Sequence, residues 1–430
     1  MITSTALFRQ ISQGNRDGDL RQIYGDETQV LVHQRERYCD ALLSFEKYYG
    51  AGRAVCVFSV PGQTELGGNN TDHQNGVALA AAVNLDIIAV VAPNGSNLIR
   101  VKSYGFNKLD VVDLNLARPV AEESTHSASL IRGIAVELSR RGGTVGGFDA
   151  YTTSDVLRGS GLSSSAAFEV MIITILNFLY NGGRISALEM AEISQYAENH
   201  YFGKPSGLLD PLTCALGGAI YADFAAKKTP EIRSLPLDLA SAGYCLCITD
   251  TRGSHSELTP EFSAIRMEME SVSHYFGRSA LREVQERQVF QEMPRLRKVC
   301  GDRAVLRALH FFSECQRVYQ EYDSLKQQDF QRFLELVRDS GHSAVEYAQN
   351  AYCTAQPQQQ PLSVALALSA SILRGQGASR LQGTGFAGTI QAFVPNDKVD
   401  DYCRRIDRIF GAGSCQAVSV RNEGSFQMFV

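Results

Sequence analysis

The stretch Gly159-Ser160-Gly161-Leu162-Ser163-Ser164-Ser165 narrows the possible folds most, because it joins segments of opposite periodicity. Before it, the residues from Phe148 to Ser154 alternate as a strand does. After it, Ala166 to Tyr180 is an apolar run too long for an ordinary strand, and Ala, Leu and Met favour a helix. The glycines and serines therefore stand where a strand turns into a buried helix. Gly159 and Gly161 let backbone N–H groups approach a ligand with no Cβ in the way. The free N–H groups at a helix start carry partial positive charge and suit an anion. Three consecutive serines add hydroxyls for phosphate oxygens or a magnesium ion. A plain turn with a serine cap would use one of these features; all of them together favour phosphate. No lysine follows at Walker spacing, so this is not a P-loop of the usual kind.

Bulk properties exclude several classes. A chain of 430 residues has room for two or three domains with real cores. Hydrophobic content of 44% against 20% charged is globular, not disordered. A net charge of -5 gives no reason to expect nucleic acid. No apolar run reaches the length of a membrane span, and the first residues lack the pattern of a signal peptide. The ten cysteines are scattered, and no His/Cys group has zinc spacing. A reduced, cytoplasmic monomer without membrane attachment is the simplest expectation.

Three further stretches carry chemistry. Ala54 to Val60 reads as a strand stopped by Pro61-Gly62, and the loop from Gln63 to Gly76 is dense in amides, carboxylates and glycines. Such a loop is either an ordinary exposed connector or a set of donors and acceptors for a polyol. Val77 to Val83 reads as a short helix, and Leu85 to Ala92 as a buried strand. Downstream, Asp210 stands among apolar and small residues, where a carboxylate needs a partner or a task. It would orient or deprotonate a hydroxyl, or cap a helix whose first position is Pro211. Glu198 is either a magnesium ligand or part of a solvated helix face. Finally, Gly383-Thr384-Gly385-Phe386-Ala387-Gly388 matches G-x-G-x-x-G. A strand follows it where a dinucleotide fold requires a helix, so a glycine hairpin near the same phosphates is the better reading.

Three loops in this order resemble the motifs of the kinases that include galactokinase, homoserine kinase, mevalonate kinase and phosphomevalonate kinase, the GHMP kinases. Pro61-Gly62, Leu66, Gly68 and Thr71-Asp72 resemble the galactokinase signature in particular, as does the segment from Tyr201 to Asp210. The resemblance covers residues from about 20 to the end. It implies an α+β, two-domain fold: an N-terminal domain like the second domain of ribosomal protein S5, and a ferredoxin-like C-terminal domain. The divisions expected are a helical extension over residues 1–50, the first domain over 51–225 and the second over 226–430. It also implies ATP, magnesium and transfer of the γ-phosphoryl group to the C1 hydroxyl of galactose. On this chain Asp210 would be the catalytic carboxylate, Ser165 and Glu198 would hold magnesium, and Gly159 to Ser165 would cradle the phosphates. Asp72 would bind the sugar, with Asn69, Asn70, Gly207 and Tyr221 as further sugar contacts.

Two departures bear on activity. The family signature begins Pro-Gly-Arg, and here the catalytic position holds Gln63. A fixed positive charge beside the carboxylate keeps it ionised and offsets charge developing on the phosphoryl group. Its loss costs at most about 10³–10⁵ in rate in other phosphoryl-transfer enzymes. Asn70 stands where a sugar-contacting histidine is usual, Glu65 and Asn69 replace an asparagine and a glutamate, and Pro211 a common glutamine. The nucleotide side thus matches well and the sugar side is altered. A galactose 1-kinase leads; a kinase for an amino sugar or a uronic acid, or a sensor that binds sugar and ATP, are the other readings.

Overall fold

The computed structural model describes residues 1–156, 161–204, 206–226, 229–253, 259–386 and 388–429. A short strand β1 (Ile2–Thr3) leads into helices α1 (Ser4–Ser12), α2 (Asp17–Tyr24) and α3 (Thr28–Tyr49). Four strands follow, β2 (Ala54–Gly67), β3 (Val77–Pro93), β4 (Leu98–Ser103) and β5 (Asp110–Asp113), then α4 (Ser127–Arg140) and β6 (Phe148–Ser154). Three helices come next, α5 (Ser164–Tyr180), α6 (Ala187–Ala197) and α7 (Leu209–Leu216), and a hairpin of β7 (Ala219–Asp223) and β8 (Glu231–Leu235). After β9 (Tyr244–Asp250) the chain is helical through α8 (Thr259–Tyr275), α9 (Glu286–Val299), α10 (Asp302–Lys326), α11 (Phe330–Ser343) and α12 (Pro361–Leu373). It ends with β10 (Ala378–Leu381), β11 (Thr389–Pro395), α13 (Val399–Phe410), β12 (Cys415–Val418) and β13 (Phe426–Met428).

These strands form two sheets, one of nine strands and one of four. In the larger sheet β3 is the spine. It pairs with β2 on one side; on the other its first half pairs with β7 and its second half with β6. The smaller sheet has the order β10-β11-β9-β12, all antiparallel, in a chain order of β-α-β-β-α-β once the helical insertion after β9 is counted as one crossover. That is the ferredoxin-like arrangement. The architecture is therefore α+β, with the larger sheet and the smaller ferredoxin-like sheet as its two parts.

Two local expectations fail for tertiary reasons. Val77 to Val83 is strand, not helix. Its alanines permit either state, but Val77, Leu79 and Ala81 join one apolar cluster while Ala78 and Ala80 join another. A period of two across a sheet buried on both faces produces that split. Nor does Pro61-Gly62 end its strand. The β2–β3 register shifts between Pro61 and Gln63, and a bulge tolerates a residue without an N–H. The strand thereby carries Gln63 on into the interior. Residue 225 falls between β7 and β8, which pair within the larger sheet, and β13 returns to pair with β2.

Helix α5 is buried along most of its length, with Met171, Ile172, Ile173, Ile175 and Leu176 all inaccessible. Helix α3 packs through Leu31, Tyr38 and Phe45 onto β2 and β3, with Leu7 and Ile11 of α1 and Leu20 and Ile23 of α2 in the same apolar cluster. Arg37 and the C-terminal Arg421 pair with buried Asp86 at 2.7 and 3.1 Å. Burial opposes ionisation of Asp86, yet the two guanidinium groups hold its carboxyl below the usual carboxylate range. Among the described residues no helix is long and apolar enough to cross a membrane.

Candidate active site

The cleft is built where the start of α5, the start of α7, the end of β2 and the β10–β11 hairpin meet. Ser163 precedes α5 in the left-handed region, at φ 56°, and its side chain does not cap the helix. A serine held there costs on the order of 1–3 kcal/mol and marks a constraint. Its hydroxyl instead donates to Asp210 Oδ2 at 2.6 Å. Gln63 Nε2 donates both to Asp210 Oδ1 and to Ser163 Oγ, each at 2.8 Å. Because Ser163 does not cap, the first N–H groups of α5 stay free for an anion. The Ser164 and Ser165 hydroxyls beside them have no hydrogen bond among the described residues. Gly159 and Ser160, expected to cradle phosphate with Gly161 to Ser165, lie outside the described residues.

Asp210 sits in the first turn of α7, whose cap is Leu208; the capping role considered for it does not hold. Burial pushes its carboxyl up to about 6; the Ser163 hydrogen bond and Lys204 pull it down, and Asp72 raises it further. Asp72 takes the His73 N–H at 2.8 Å and lies against Gly207, where a Cβ would stand 1.8 Å from Asp72 Oδ2. A side chain at 207 would displace the Asp72 carboxylate, so Asp72 lies against a bare backbone there. At Gly161 a left-handed φ of 68° and Gln382, 2.9 Å from the place of a Cβ, likewise demand glycine.

The hairpin closes over this floor. Gln382 Nε2 donates to Gly161 O at 3.2 Å, and Thr64 Oγ1 donates to Gln382 Oε1 at 3.1 Å. Asn69 Nδ2 donates to Gly383 O at 2.7 Å and to Glu65 Oε1 at 3.2 Å. The Asn69 side-chain oxygen accepts from Asn70 and Asn350. The Asn69 amide is thus engaged within the chain. Tyr221 packs against Tyr319 and Tyr322 with Arg233 over its ring, a stack on the α10 side of the sheet.

Glu198 opens a π-helical turn after α6 and accepts from Lys204 Nζ at 3.1 Å. Glu169 stands near it, one turn along α5 from Ser165 and so on the same helix face. It is buried, and its Oε1 has no partner among the described residues. Burial first, then repulsion from Glu198 and Asp210, raise its carboxyl well above the usual range. Three carboxylates thus crowd one cation, Lys204, at the mouth of the serine loop. Carboxylate and hydroxyl oxygens are the ligand type a magnesium ion takes. Glu169, Lys204 and the Ser163 link to Asp210 escape the sequence reading. The signal for Glu169 is its place as a lone carboxylate in an apolar helix, four residues after Ser165.

The chain is similar to known kinases in both sequence and fold. The sequence pattern described as "GHMP kinases N terminal domain" matches residues 129–218, and the "Galactokinase galactose-binding signature" matches residues 43–93. The chain is 30% identical over 357 residues to the galactokinase of Glaesserella parasuis, spanning 83% of this chain and 89% of that one. It is 28% identical over 378 residues to the galactokinase of Streptomyces coelicolor, spanning 87% and 94%. Its fold is similar to that of Lactococcus lactis galactokinase complexed with galactose, with a TM-score of 0.77 at 20% identity over 89% of this chain and 98% of that one. A mevalonate kinase matches the fold with a TM-score of 0.59 at 14% identity, over 85% and 99%.

Proposed function

The chain belongs to the galactokinase family of GHMP kinases, and from that premise we propose that it is an ATP-dependent sugar 1-kinase converting ATP and galactose to ADP and galactose 1-phosphate. One observation carries the reading: Asp210 lies between the free start of α5, which suits phosphate, and Asp72, which suits a hydroxyl. With a pKa of about 6, Asp210 is mostly ionised at neutral pH and can take the proton of the attacking hydroxyl. The oxygen–phosphorus bond to the sugar forms as the bond to ADP breaks. Free N–H groups of α5 meet the charge that develops on the phosphoryl oxygens. Lys204, the cation that lowers the Asp210 carboxyl, takes up part of the role of the arginine that Gln63 replaces. Magnesium, when bound, neutralises phosphate charge, and Ser165, Glu198 and Glu169 are the residues that would hold it.

The test is to incubate the purified chain with MgATP and a panel of sugars, measuring ADP and sugar 1-phosphate. Turnover with galactose supports the proposal. Turnover confined to an amino sugar or a uronic acid supports the second reading, which the engagement of the Asn69 and Asn70 amides inside the protein favours. Saturable binding of sugar and ATP with no turnover on any sugar defeats both and leaves a sensor.

A further inference from the structure

Beyond the cleft, the smaller sheet gathers cysteines that the phosphoryl-transfer site does not use. Cys247 on β9, Cys403 on α13 and Cys415 on β12 are far apart in sequence, so no short spacing announces them. Their three Sγ atoms nevertheless lie within 4.8 Å of one another, and those of Cys403 and Cys415 are 3.3 Å apart. A thiolate-bound zinc ion has bonds of about 2.3 Å, which sets its sulfurs roughly 3.8 Å apart in a tetrahedral arrangement. The Cys403–Cys415 separation is within about half an ångström of that value, and no pair in the group exceeds it by more than about 1 Å. All three thiols are free.

The surroundings hold these sulfurs in place. Asp407, one turn along α13 from Cys403, accepts the N–H groups of Gly413 and Cys415, both at 2.9 Å. That carboxylate fixes the turn bearing Cys415 against the helix bearing Cys403, as outer partners orient metal ligands. Thr249 pairs with Cys415 across β9 and β12. Its buried hydroxyl lies against the Cys415 thiol, placed to donate to a thiolate. Cys245, two residues before Cys247 and so on the same face of the strand, borders the cluster. Ile372, Leu373 and Ile406 belong to the same buried apolar cluster as Cys247 and Cys415.

We propose that Cys247, Cys403 and Cys415 form a binding site for a soft, thiolate-seeking metal ion, zinc or a heavier cation of the same preference, that pins α13 to the sheet. Soft sulfur ligands select such ions over magnesium or calcium. Binding displaces the thiol protons to solvent, so affinity rises with pH. Cys403, half-buried, is the point of entry.

Cadmium is the probe. The full chain, reduced and freed of metal, is titrated with Cd²⁺ against a competing chelator while ultraviolet thiolate-to-metal charge transfer is recorded. The proposal expects saturation at one Cd²⁺ per chain, a rise in melting temperature with Cd²⁺, and protection of Cys403 from alkylation. Cys403→Ser should weaken binding by at least about tenfold, while Cys300→Ser, outside the cluster, leaves it unchanged. The alkylation and melting measurements need no variant, so they decide the matter even if Cys403→Ser does not fold. Absence of stoichiometric charge transfer, affinity unaffected by Cys403→Ser, or recovery of Cys403 and Cys415 as a disulfide from freshly purified protein would overturn the proposal.

Discussion

Gln63→Arg restores the charge that the family signature carries, and its effect follows from the contacts of one amide. Gln63 is buried, and its Nε2 holds Asp210 Oδ1 and Ser163 Oγ at 2.8 Å each, while its Oε1 has no partner among the described residues. A guanidinium in that place would keep both contacts and lose the unpaired acceptor. A cation beside a carboxylate lowers its pKa by about 1–3 units. The Asp210 carboxyl, at about 6, would then titrate at about 3–5. Catalysis needs the ionised form, so the acid limb of kcat/KM should fall by the same amount. At pH 5 the parent has about a tenth of Asp210 ionised and the variant half or more, a gain of about five- to tenfold from ionisation alone. At pH 7.5 the same term is nearly silent, so any large gain there reports charge acting on the phosphoryl group itself. The assay is ADP release across pH 4.5–8.5 at low sugar and saturating MgATP. An unmoved acid limb in a folded variant that still binds ATP would refute the reasoning, because Gln63 could not then be touching Asp210 in the reacting state.

Three other perturbations follow from neighbouring contacts. Ser163→Ala removes the hydroxyl that lowers the Asp210 carboxyl, so the acid limb should move the opposite way, upward by about one unit; a downward shift would contradict the contact. Gly207→Ala puts a methyl group onto Asp72 Oδ2, so KM for the sugar should rise by about tenfold or more with KM for ATP little changed; an unchanged sugar KM would remove Asp72 from the sugar site. Glu321 is buried against Gly67 with both oxygens unpartnered among the described residues, and burial, then Glu314, push it up to about 8. Its folded state holds a proton that the unfolded chain releases, so its contribution is full below the unfolded pKa of about 4.5 and is lost as pH rises toward 8, at about 1.4 kcal/mol per pH unit. Glu321→Met should therefore gain in urea midpoint over the parent between pH 5 and pH 8, and parallel curves for the two proteins would sink the idea.

Much of the site is local chemistry and so was legible in the sequence. Gly161 and the serines declare a strand-to-helix joint because glycine freedom, hydroxyls and an apolar helical run are all written within a few residues. Asp210 declares itself as a carboxylate among apolar neighbours, and the α5 helix by a run too long for a strand. What the sequence could not fix is whatever depends on a partner distant along the chain. Val77 to Val83 has a composition that permits helix, and only β2 and β7 on either side make it a strand. Pro61 ends a strand in isolation and continues one where the neighbouring register bulges. Asn69 has the side chain of a sugar ligand, yet the hairpin carbonyl of Gly383 takes its amide. Glu169 acquires its place from Glu198 and Lys204, and the three cysteines meet only when α13 folds onto β9 and β12. Local propensity and pattern act over one or two turns of chain, while hydrogen-bond partners, desolvation and charge proximity are properties of packing, and packing decided which of the permitted roles each residue holds.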